Sequence, residues 1–222
     1  VINDSKKDSD LFYATLFLVG DPLIYIEHGD RRFLLVSDLE YGRAEKEADV
    51  DEVVGTAELE AKLREEGKAA RLTSIADLFL QSRGGTRKLS VPASMPYIQA
   101  RQLGELGYEL ECREDPVHLD RWIKTPEEIE YIASSQRAGE EAMGLVIETL
   151  RASEIREELL YHDGEVVTSE RLRVMAQKLL LDRNCQAEDI IIAAGDQCCD
   201  PHNRCLLYTS PSTRDGLLSR MR

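Results

Sequence analysis

The chain has 222 residues, with 42 acidic side chains against 28 basic ones, and a net charge of −14 at neutral pH. Self-repulsion on that scale argues against nucleic acid or an anionic membrane surface as a partner, and no stretch approaches the ~20 apolar residues of a spanning helix. Five cysteines are too sparse for a disulfide framework, so the expected compartment is a reducing cytoplasm.

In the first half, strand-like and helix-like segments alternate. The apolar runs at residues 23–28 and 32–36 flank Gly29-Asp30 and predict a β-hairpin, because positive φ is cheap at those residues. Helical patterning follows over residues 40–48, and residues 50–54 read as a short strand. The acidic stretch 40–66 reads as solvated surface. Ile75, Leu78 and Phe79 recur at helical spacing within 74–81. Ser82-Arg83-Gly84-Gly85-Thr86 then stops that helix; it lacks the glycine-to-lysine spacing of a phosphate loop. Residues 88–92 predict a strand, 97–106 a helix and 108–112 another strand. Such alternation implies an α/β sheet with helices packed on it. His28 reads as a turn neighbour and His118 as a linker residue, neither with a chemical partner.

A boundary falls at Trp122-Ile123-Lys124, where Trp122 is expected to pack between domains 1–123 and 124–204. Thr125-Pro126-Glu127-Glu128 is a helix start, with Thr125 as cap, Pro126 at the first helical position and Glu128 completing a capping box. Ile129, Ile132, Ala133, Ala142, Met143, Val146, Ile147 and Leu150 then form one apolar stripe along a helix of about 25 residues. A second hairpin is expected at 159–167 around Asp163-Gly164, with His162 beside its turn. Thr168 caps a further helix to about Arg183 whose Leu172, Met175, Leu179 and Leu180 face inward. Residues 189–195, with three consecutive isoleucines, predict a buried strand, and 196–204 a polar loop.

Cys198, Cys199, Asp200 and His202 sit close together in that loop. Structural zinc takes four ligands, usually as two separated pairs, and no second pair exists upstream. A cysteine nucleophile with His202 as base is equally disfavoured, because so short a spacing rarely gives the needed geometry. Cys198 and Cys199 are expected to pack as small apolar side chains.

Residues 205–222 stand apart. Cys205-Leu206-Leu207-Tyr208-Thr209-Ser210-Pro211-Ser212, then Arg214-Asp215 and Ser219-Arg220-Met221, resemble an in-frame translation of a transposon-derived sequencing-library adapter, departing at Thr213. The other reading is an ordinary Ser/Thr-rich tail. The adapter reading sets the segment aside as non-native and expects the native frame to continue past Arg204. Val1 in place of methionine likewise suggests a frame open at its front.

Lys124-Thr125-Pro126-Glu127-Glu128-Ile129-Glu130-Tyr131-Ile132, followed by Ala138-Gly139, resembles the entry helix of the pita-bread metallopeptidases, the family of Xaa-Pro aminopeptidases, prolidases, methionine aminopeptidases and creatinase. Ile190-Ile191-Ile192-Ala193-Ala194-Gly195, leading into Asp200-Pro201-His202, is similar to the strand and loop carrying that family's first active-site histidine. The stretch from Asp10-Leu11-Phe12-Tyr13-Ala14-Thr15 to about Arg121 resembles the creatinase-type domain ahead of the catalytic domain. This resemblance implies an α/β fold: a creatinase-type amino-terminal domain over 1–123, with a mixed sheet flanked by helices, then the truncated first part of an α+β pita-bread catalytic domain over 124–204.

The resemblance further implies a parent enzyme that hydrolyses the bond before proline in small peptides with two divalent metal ions (Mn, Co or Zn), and that can form a homodimer. The family's metal ligands, two aspartates, a histidine and two glutamates, are expected downstream of Arg204. The chain as given is therefore expected to hold no metal and to be inactive. His202 matches the histidine that helps bind substrate and stabilise the transition state. Two alternatives remain: a non-peptidase relative of the same fold (a creatinase-type hydrolase or a metal-free peptide-binding module), and an acidic α/β interaction domain without catalysis.

Overall fold

The computed structural model describes residues 1–114, 117–187 and 189–200. Two compact units divide at Ile123/Lys124.

The first unit is built on two consecutive apolar strands, β2 (Leu23–His28) and β3 (Arg31–Val36), paired antiparallel around the predicted turn, where Gly29 takes φ +64°. Their near-continuous apolar runs are explained by burial on both faces. Leu23, Tyr25, Leu34 and Val36 meet Leu11, Ala14 and Phe17 on one side, from helix α1 (Ser9–Thr15) and the residues after it, with Ala44 of helix α2 (Asp38–Glu47). Ile24, Phe33 and Leu35 meet Leu63, Ile75 and Phe79 on the other, from helices α3 (Ala57–Glu65) and α4 (Leu72–Ser82). The short β1 (Ile2–Asn3) adds to β2 antiparallel, and β4 (Glu52–Gly55) adds to β3 in parallel. This is the mixed sheet flanked by helices that the sequence predicts. A separate parallel pair, β5 (Lys88–Pro92) and β6 (Glu109–Arg113), is connected through helix α5 (Tyr97–Glu105).

Helix α4 stops where its glycines predict. Gly84, at φ +69°, donates to the Gln81 carbonyl and Gly85 to that of Leu80, closing the last turn on itself. A side chain at Gly85 would meet that Leu80 carbonyl at 3.0 Å.

The second unit opens with helix α6 (Pro126–Ala152), whose capping box is complete. Thr125 Oγ1 accepts from the Glu128 amide at 3.2 Å, and Glu128 Oε2 accepts from the Thr125 amide at 2.8 Å. Thr125→Ala is expected to destabilise this unit by about 1 kcal/mol, the usual worth of an N-cap, read as a lower thermal midpoint by circular dichroism. A three-stranded antiparallel sheet follows, β7 (Glu154–Arg156), β8 (Leu159–His162) and β9 (Glu165–Val166), then helix α7 (Ser169–Asp182), capped by Thr168.

One expectation is corrected here, the strand at 189–195. The α6 stripe is covered only in part. Ala138 and Ala142 pack on Ala176 and Leu180 of α7, and Val146 and Leu150 are half-buried, but Ile129, Ile132, Met143 and Ile147 are exposed. Residues 189–195 form no strand. A strand exists only through a ladder partner, and the described residues offer none on either side. Trp122 is largely exposed in the 3₁₀ turn Leu119–Trp122. Among the described residues no helix is long and apolar enough to cross a membrane.

Candidate functional site

The segment singled out by the sequence runs across the packed helices of the second unit. Ile190 rests against the Ala138, Ala142, Ala176 and Leu180 cluster, and Ile192 against Leu160, Val167 and Leu172. Arg173 Nε donates to the Ile190 carbonyl at 3.1 Å, tying this segment to α7. Past buried Ala194 the chain turns at Gly195, φ +60°, into a 3₁₀ helix over Gly195–Cys199. Cys198, Cys199 and Asp200 are exposed, so neither cysteine packs as the sequence reading expected: the turn carries them off the apolar surface that holds Ile190 and Ile192. Cys112, Cys185 and Cys198 are free thiols. His202, the predicted catalytic residue, lies outside the described residues, as do Pro201 and all of 205–222.

Metal ligation needs several His, Cys, Asp or Glu side chains converging on one point. Among the described residues no three converge in this way. The described part of the chain therefore does not itself fit the two-metal centre that the resemblance implies.

The first unit holds a polar cluster that the sequence reading missed. His118 Nε2 lies 3.7 Å from Glu27 Oε1, which also accepts the Tyr25 hydroxyl at 2.7 Å. The His118 ring stands 6.1 Å from that of Tyr13 and 6.4 Å from that of Tyr25. Burial first, and then the bond to Glu27, push the Tyr25 phenol far above its ordinary value, so it remains a donor at any physiological pH. His118 is thus no partnerless linker residue. Nothing local could reveal this, because its partners are 91 and more residues earlier in the sequence.

Tyr25, Glu27 and His118 border a cavity of about 310 Å³ between β2 and β5, with Ala76 and Leu80 of α4 and Leu103 of α5 among its apolar lining. Nearby, buried Asp10 at the start of α1 accepts from the backbone amides of Val117 at 2.7 Å and His118 at 3.3 Å, and from Arg121 Nη1 at 2.8 Å. Asp8 caps α1 through the Leu11 amide at 2.9 Å and accepts from Ser94 Oγ at 2.7 Å. Both carboxylates hold the loop around residues 117–121 and the β5–α5 turn onto α1. Their arrangement is structural, each carboxylate held by donors within the fold.

No protein-family model matches the sequence, and no curated protein matches it. Solved structures do match. The chain is similar to the prolidase from Pyrococcus furiosus (TM-score 0.63, 20% identity), covering 89% of this chain and 50% of that one. It is similar to the X-Pro aminopeptidase from Thermotoga maritima (TM-score 0.67, 16% identity), covering 92% and 52%. It is also similar to the Xaa-Pro dipeptidase from Bacillus anthracis (TM-score 0.69, 16% identity), covering 89% and 49%. The chain therefore spans about half the length of each of these peptidases, and over that half it has the fold of the prolidase and Xaa-Pro aminopeptidase structures.

Proposed function

We propose that the chain is the amino-terminal part of a metal-dependent Xaa-Pro aminopeptidase or prolidase-like peptidase, which hydrolyses the bond before proline in small peptides. The observation that carries this reading is the fold likeness to three such peptidases across about nine-tenths of the chain, which joins independently to the Asp200-Pro201-His202 motif after the isoleucine run. Residues 1–123 correspond in this reading to the creatinase-type domain and 124–204 to the start of the catalytic domain.

Two divalent ions, held in the parent by carboxylates and a histidine beyond Arg204, would polarise the scissile carbonyl and activate a water. This chain's own contribution is His202, whose imidazole would donate a hydrogen bond to negative charge developing on the substrate. The free thiols of Cys112, Cys185 and Cys198 suit the reducing cytoplasm in which such a peptidase would work.

The test is to express the parent open reading frame and assay Mn²⁺-dependent release of proline from Xaa-Pro peptides. Cleavage is expected from the parent and not from residues 1–204 alone. His202→Ala in the parent is expected to lower kcat by about 10²–10³, as for loss of one transition-state donor. A parent that binds such peptides without cleaving them, or cleaves with His202→Ala unimpaired, would sink the reading.

A further inference from the structure

Strand β6 has one side in a ladder and the other side open. The Glu109 amide donates to the Arg87 carbonyl at 2.8 Å, and the Ala93 amide to the Arg113 carbonyl at 2.9 Å. In the parallel register that sets Lys88 beside Glu109, these bonds turn the main chain of Glu109, Glu111 and Arg113 toward β5. The amides and carbonyls of Leu110 and Cys112 therefore point the opposite way. Among the described residues no strand meets them there, and Glu109, Glu111, Cys112 and Arg113 are all exposed. An open edge of this kind is a template for another strand.

The charges along β6 select its own copy as that strand. When identical strands pair antiparallel about a two-fold axis, residue i faces j and j faces i. An axis passing between Cys112 and its copy makes them a hydrogen-bonded pair, as their outward main chain requires. Glu111 then falls opposite Arg113 on both sides of the axis, in non-hydrogen-bonded pairs, where side chains approach most closely. Within one chain Arg113 Nη2 already lies 3.5 Å from Glu111 Oε1, so the axis completes an alternating ring of charges. Every other centre on β6 sets like charges opposite, which is destabilising. Glu109, Glu111 and Arg113 would each face themselves, and an axis at Leu110 would set Glu109 against Glu111.

We propose that the open edge of β6 is an interaction surface whose partner is β6 of a second copy of this chain, paired antiparallel about an axis at Cys112. The two β5–β6 pairs then form one continuous sheet. Leu110 packs with Leu103 of α5, so alternation places Cys112 on the α5 face as well. Helix α5 opens shortly after β5 ends, over the same end of the pair as Cys112, and its first residues, Tyr97 and Ile98, are exposed. The axis stands perpendicular to the sheet, so both α5 helices share one face and carry these apolar side chains toward each other. This inference rests on the first unit alone and not on the peptidase reading.

The test uses the full chain. Sedimentation is expected to show a dimer that forms with rising concentration. Oxidation with diamide is expected to link Cys112 to Cys112, identified by mass spectrometry of the joined peptides. A hydrogen-bonded pair holds its Cα atoms about 5.5 Å apart, inside the range that a disulfide spans. Cys112→Ser should remove that link and leave the dimer. Glu111→Arg and Arg113→Glu should each weaken dimerisation at least about tenfold, because opposite pairs become like pairs. The double reversal should restore it. Both side chains are exposed, so the core is untouched, which circular dichroism checks. A monomer at every concentration would overturn the proposal. A dimer indifferent to both reversals, or linked only through other cysteines, would also overturn it, because association would then run through another surface.

Discussion

Asp10→Ala is expected to destabilise the first unit by about 3 kcal/mol or more, the cost of removing one partner from a buried ion pair. The carboxylate is 3% exposed and accepts from Arg121 and from two backbone amides. Its loss takes an acceptor from two backbone amides and from Arg121 at once, which is more damaging than the loss of the attraction itself. Asp10→Asn keeps an acceptor oxygen and should recover about half. A double-mutant cycle with Arg121→Met, read by urea denaturation, separates the ion pair from the amide contacts. A cost under about 1 kcal/mol for Asp10→Ala would mean that water replaces the carboxylate freely and that the 117–121 loop is not held by it. The sequence shows only an acidic residue in an acidic protein; its value comes from partners more than a hundred positions away.

A second expected result concerns the two units. Amides of α6 and α7 should exchange about 100-fold faster than those of β2 and β3, a difference of about 3 kcal/mol in opening free energy. The reason is the uneven distribution of burial. Phe17, Leu11, Ile24, Leu34 and Leu35, all essentially inaccessible, belong to the first unit, and among the described residues Leu172 is the one comparable apolar side chain in the second. Meanwhile Ile129, Ile132, Met143 and Ile147 leave apolar surface on α6 uncovered, on the scale associated with binding or aggregation. Exchange mass spectrometry on the full chain decides this. Equal protection in both units, with one sharp unfolding transition, would show that the second unit needs no further covering.

What was legible in the sequence follows from physics that acts over short range. The β2–β3 hairpin, the strand at 88–92 and the Thr125 capping box announce themselves through turn residues, alternation and local hydrogen bonding, and each is present where expected. Helix α1 did not, because seven residues make barely two turns, and Asp8 and Asp10 at its start also bind partners far along the chain. Helix α3 was hidden in an acidic run because it buries a single large side chain, Leu63. The isoleucine run misled for the opposite reason. Its composition is that of a strand, yet strand identity belongs to a pair of segments rather than to one. The His118 cluster had no signal at all, since chain topology alone brings residue 118 to Glu27.

Val1 and His118 line the same cavity, so the first strand and the 117–121 loop close one space although most of the unit's chain lies between them. Closing so long a loop costs chain entropy that the contacts there must offset. That rim is therefore expected to be the last part of the first unit to assemble and the first to open.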